Sequence, residues 1–85
     1  MIKMDETYVI GYVKFDTVKE VKRFIDFLSQ FPEEYYLVSD RFIVNAKSIM
    51  GIYSLDLTKA VQLVSLKKND EEFRKKFEEQ NFKKE

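Results

Sequence analysis

The chain has 85 residues, with fifteen basic and fifteen acidic side chains, eight phenylalanines, five tyrosines, and neither cysteine nor histidine. This length makes one small domain that buries roughly 60 to 65% of its unfolded surface. Balanced charge gives no general attraction to nucleic acid or an anionic membrane, and the missing cysteines exclude disulfides and thiolate chemistry.

No run of about 18 apolar residues exists to span a bilayer, and residues 1–7 lack the apolar centre of a secretory signal. A cytoplasmic location is therefore expected. A single domain over residues 1–85 follows from the absence of any linker, repeat or low-complexity stretch.

Residues 7–13 cluster Tyr, Val and Ile, as a half-buried strand does. Thr17 and Glu20 then form a capping box, and Val18, Val21, Phe24, Ile25, Leu28 and Phe31 recur at spacings of three and four. This pattern predicts an amphipathic helix ended by Pro32. Two short apolar runs, residues 34–39 and 42–47, flank Asp40-Arg41 and predict a hairpin, although Asp-Arg is a weak turn signal.

A short helix is expected over residues 48–55 and a last strand over 61–66. Asn69 with Glu72 repeats the capping logic, and the pairs Glu71–Lys75 and Glu72–Lys76 support a closing helix to about Phe82. On that helix Phe73 and Phe77 share a face, while Phe82 falls roughly opposite. The order β-α-β-β-α-β-α buries most simply as an α+β, open-faced two-layer sandwich with a four-stranded antiparallel sheet. In the hairpin, Tyr35 and Leu37 share one side and Tyr36 and Val38 the other, so an open-faced sheet leaves apolar side chains exposed. That face is a candidate for self-association or for a partner.

Ser48 stands where it would cap the short helix. Its hydroxyl is placed to accept a hydrogen bond from a first-turn amide, and a phosphate there would meet unpaired N–H groups rather than unfold the helix. Ile49, Met50, Ile52 and Leu55 follow, and an adaptable methionine suits a docking surface. The same side chains also read as ordinary packing residues around an unmodified cap.

The stretch Lys47-Ser48-Ile49-Met50-Gly51, continuing to Ser54-Leu55, resembles the regulatory-serine segment of HPr, the phosphocarrier of the bacterial phosphoenolpyruvate:sugar phosphotransferase system. Element order agrees over nearly the whole chain. The resemblance implies the HPr-like fold, phosphorylation at Ser48, and partner contacts through Lys47, Ile49, Met50 and Tyr53. It implies as partners the HPr kinase/phosphorylase and a catabolite control repressor.

HPr proteins carry their transferable phosphoryl group on a histidine in a Gly-[Ile/Leu]-His-Ala-Arg-Pro-like segment. An ungapped count from Ser48 places Thr17 at the histidine and Lys19 at the arginine, and the local text Lys14-Phe15-Asp16-Thr17-Val18-Lys19-Glu20 keeps nothing of that motif. A phosphoimidazole passes its group onward, whereas a phosphothreonine is a far less reactive ester. A divergent, regulatory member without phosphocarrier chemistry is expected, and the alternative is an unmodified structural or dimeric binding module on the same fold.

No other constellation carries chemistry. The acidic runs lack the spacing of a calcium loop, and no metal or cofactor is expected. With no glycine-rich phosphate loop, no serine beside a histidine base and no thiol, an enzyme is not expected. Lys67-Lys68 and Arg74-Lys75-Lys76 are interleaved with acids and read as a solvated face.

Overall fold

A computed structural model describes residues 7–68 and 71–82. The elements are β1 (Tyr8–Val13), α1 (Val18–Leu28), β2 (Tyr35–Ser39), β3 (Phe42–Asn45), α2 (Ile49–Tyr53), β4 (Val61–Ser65) and α3 (Glu71–Gln80). The strands form one antiparallel sheet in the order β1-β4-β2-β3. The expected order and architecture are those observed, with ends shifted by a few residues.

Local chemistry accounts for most boundaries. The Thr17 hydroxyl accepts the Glu20 N–H at 3.2 Å, and the Glu20 carboxylate accepts the Asp16 N–H at 2.7 Å. The capping box is thus present, with its glutamate reaching one residue further back than the usual N-cap amide. At the other end α1 stops at Leu28, before Pro32, and Ser29 donates its hydroxyl to Ile25 O at 2.8 Å. Asp40 turns the β2–β3 hairpin with φ 54, a conformation that aspartate tolerates better than most residues. The capping role expected of Asn69 lies outside the described residues.

One face of the sheet is covered. Leu37, Val61, Leu63 and Val13 meet Val21, Phe24 and Leu28 of α1, Ile52 of α2, and Phe73 and Phe77 of α3 in a single buried cluster. Every phenylalanine except Phe42 meets another aromatic ring, so the aromatic content is chiefly core. Gly11 lets α3 approach β1 closely, because a Cβ there would stand 3.3 Å from the Phe77 ring.

Phe82 differs from the sequence expectation. The helix ends at Gln80, Asn81 adopts φ 56 and donates its N–H to Glu78 O at 3.1 Å, and the chain turns back. This left-handed cap brings Phe82 onto the ring of Phe77 three positions inside the helix end, centroid to centroid 5.8 Å. Phe82 also packs edge-on against Phe24 at 5.1 Å and lies under the Arg23 guanidinium, 4.3 Å from its ring centre. A helical projection carried past Gln80 puts it on the wrong side.

The face that no helix of the described residues covers carries Val9, Tyr12, Tyr36, Val38, Ile43, Gln62 and Val64, by the strand registers. Val38 and Val64 are buried there without joining the main core. Tyr12 and Val9 stay exposed, as does Phe42 at the hairpin tip. Among the described residues, no helix is long and apolar enough to cross a membrane.

Candidate functional site

The corner between β3 and α2 is built by short polar contacts. The Lys47 N–H donates to the Asn45 carboxamide oxygen at 2.8 Å, and the Ser48 N–H donates to Asn45 O at 3.1 Å. Ser48 then takes extended backbone angles, φ −102 and ψ 116, and its Oγ accepts the Gly51 N–H at 3.1 Å. Its carbonyl accepts the Ile52 N–H at 3.0 Å. Ser48 is the N-cap that the sequence suggests. Gly51 suits a close approach: a Cβ there would lie 3.3 Å from Val44 Cβ and 3.4 Å from Ser48 Oγ, tight enough that a neighbour would have to give slightly.

The side chains expected at a partner surface do not all point the same way. Met50 is 75% exposed and Tyr53 41% exposed, whereas Ile49 is partly buried against the core. Lys47 turns inward: its ammonium donates to Phe31 O at 2.6 Å and Glu33 O at 2.9 Å and lies 5.7 Å from the centre of the Tyr35 ring.

Tyr53, at the end of α2, faces the start of α1 across an open groove of about 450 Å³, with Thr17, Val18, Leu57 and Thr58 among the other walls. Thr17, at the position matched to the family histidine, therefore shares a groove with the helix that Ser48 opens. Val18, 55% exposed, extends the apolar rim beside Tyr53. Sequence reading did not single out Val18, Leu57 or Thr58 as groove walls. No spacing rule links them, because the groove is made by tertiary packing of α1 against α2.

The start of α1 is chemically occupied. The Thr17 hydroxyl holds the Glu20 amide, Glu20 holds the Asp16 amide, and Lys14 pairs with the Asp16 carboxylate at 3.1 Å. Two carboxylates thus stand at the head of α1, that of Glu20 engaged with a backbone amide and that of Asp16 paired with Lys14. Beside them the Thr58 hydroxyl and N–H both donate to Asp56, and with Lys59 and Lys14 nearby they hold its carboxyl below the usual carboxylate range. Among the described residues, no three acidic side chains stand together as metal ligands.

No protein-family model matches the chain, and no curated protein matches its sequence. Among solved structures it is similar to the crystal structure of HPr-C-His from Thermoanaerobacter tengcongensis, at 29% identity and a TM-score of 0.64. The similarity covers 89% of this chain and 86% of that one. The chain thus has the HPr-like fold, four antiparallel strands with three helices on one face, and that fold supports its relation to the phosphocarrier family of the sugar phosphotransferase system.

Proposed function

We propose that this chain is a regulatory protein on the HPr fold, acting in the bacterial cytoplasm through protein contacts at α2 and through phosphorylation at Ser48. It is not a phosphocarrier or an enzyme. The observation that carries this reading is the pairing of a cap hydroxyl at Ser48 with Met50 and Tyr53 held exposed on the same short helix. By resemblance, the modifying enzyme is an HPr kinase/phosphorylase and the downstream partner a catabolite control repressor. Incubation with such a kinase and ATP, followed by intact mass, tests the proposal: one added phosphate on the wild type and none on Ser48→Ala supports it.

The loss of carrier function is supported by Thr17 and its surroundings. Its hydroxyl is engaged in capping the Glu20 amide, and an alcohol there would form only a phosphate ester of low transfer reactivity. Labelled phosphoenolpyruvate and the upstream phosphotransferase should leave no transferable label on this chain.

A second reading is a dimeric binding module in which Ser48 is only a cap. Exposed Val9 and Tyr12 on the uncovered sheet face favour it. Failure of the kinase to modify Ser48, together with a concentration-dependent dimer lost in Tyr12→Glu, would select this reading.

A further inference from the structure

Lys47 precedes the candidate phosphate acceptor, yet its cation is engaged elsewhere. Its ammonium donates to Phe31 O at 2.6 Å and to Glu33 O at 2.9 Å, two carbonyls on the chain that leaves α1 on either side of Pro32. A backbone carbonyl accepts more strongly from a charged ammonium than from a neutral donor. Proline interrupts the backbone donors that could otherwise pair within this turn. The ring of Tyr35, 5.7 Å from the ammonium, adds a further attraction for the cation.

We infer that Lys47 is a positioning residue for Ser48, clamping the β3–α2 corner onto the exit of α1 and so fixing the direction of the Ser48 hydroxyl. The rest of the corner is held mainly from within. Lys47 N–H and Ser48 N–H both bond to Asn45, and the Ser48 oxygens bond to Gly51 and Ile52. The remaining tie nearby is the Ala46 N–H to Tyr35 O at 2.9 Å, beside a fully buried Ala46 side chain. Ala46 pins the corner to the start of β2, and Lys47 pins it to the α1 side. Without the ammonium the corner loses its tie to the exit of α1, and the residues between Ala46 and the buried Ile52 gain local freedom that reaches the Ser48 hydroxyl. Lys47 therefore acts on Ser48 through the backbone and not as a contact offered to a partner.

This inference rests on the reading of Ser48 as a phosphate acceptor, but its test separates the two. Lys47→Met keeps the length and removes the charge, and Lys47→Arg restores a cation with several donors. Amide hydrogen exchange is followed at Gly51 and Ile52, whose N–H groups bond to Ser48, and at Phe24 and Leu63 in the core as controls. Charged hydrogen bonds are each worth enough to shift a local opening equilibrium about tenfold or more. Lys47→Met should therefore raise exchange at Gly51 and Ile52 about tenfold, leave the core amides unchanged, and be corrected by Lys47→Arg. In the kinase assay, Lys47→Met should lower kcat/KM for Ser48 by a similar factor, with Lys47→Arg near wild type.

Unchanged exchange at Gly51 and Ile52 in a folded Lys47→Met variant overturns the positioning role, whatever the kinase does. Raised exchange with equal kcat/KM overturns its relevance to modification. Raised exchange in a protein whose wild type takes no phosphate leaves Lys47 as the clamp of the corner and instead rejects Ser48 as an acceptor.

Discussion

The amide of Gly51 donates to the hydroxyl of Ser48 at 3.1 Å, and the Cα of the same glycine faces Val44 so closely that no Cβ fits without displacement. The first turn of α2 is therefore seated on β3 at the point where Ser48 opens it. Gly51→Ala gains helix propensity of up to about 1 kcal/mol but meets a strand Cβ that cannot rotate away. Overpacking of this kind typically costs about 1–3 kcal/mol. We expect net destabilisation, together with slower modification of Ser48, measurable by urea unfolding and by a phosphorylation time course.

Ser48→Ala should cost about 1 kcal/mol, the usual worth of an N-cap hydroxyl, and remove any phosphorylation. Ser48→Asp keeps an oxygen acceptor for the Gly51 amide and should be close to wild type in stability. Equal stability of the alanine and aspartate variants would contradict the capping role.

Thr17→His places an imidazole where the family carries its phosphate. The neighbouring Asp16 and Glu20 remain, and Lys19 stands in place of the family arginine. This substitution should lose about 1 kcal/mol of capping and still fail to take transferable label from phosphoenolpyruvate. Efficient labelling would show that the histidine alone separates this chain from a carrier.

Phe82→Ala removes a ring 3% exposed that touches Phe24, Phe27 and Phe77, and should cost about 3–5 kcal/mol. Phe42→Ala, at a 61% exposed position, should change stability by less than about 0.5 kcal/mol. Asn81→Gly should be tolerated because φ 56 suits glycine, whereas Asn81→Val should destabilise. Guanidinium unfolding of the four variants decides the order.

Asp56 is ionised more readily in the folded chain, because Thr58 donates two hydrogen bonds to it and Lys59 and Lys14 add favourable charge. A carboxyl held below its unfolded value stabilises the fold above that value, about pH 4, and loses its contribution as pH falls through the lower folded value. Thr58→Val should move the Asp56 titration, followed by NMR, upward toward the ordinary carboxylate range. An unmoved titration would mean that Thr58 is not the cause.

The capping box of α1, the alternation of the strands and the spacing of α1 were legible because each is a local rule written in neighbouring residues. Thr17 with Glu20, and Ser48 at the head of α2, did in space what their sequence positions imply. Phe82 was not legible, since its burial depends on Asn81 leaving the helical region, an event that periodicity carries no signal for. The inward course of Lys47 depends on carbonyls 16 and 14 residues away, and the groove between Thr17 and Tyr53 on the packing of two helices. Met50 and Tyr53 stand exposed on α2 while Ile49 and Lys47 turn inward, directions that only the tertiary structure decides.

The most direct measurement offers one purified chain two phosphate donors and locates any phosphate by mass and fragmentation. With ATP and an HPr kinase, one phosphate should appear on Ser48 of the wild type and none on Ser48→Ala; with phosphoenolpyruvate and the upstream phosphotransferase, none should appear on either. Phosphate on Thr17, or a wild-type chain left unmodified by the kinase, would contradict a regulatory protein that has kept the serine surface and given up the carrier.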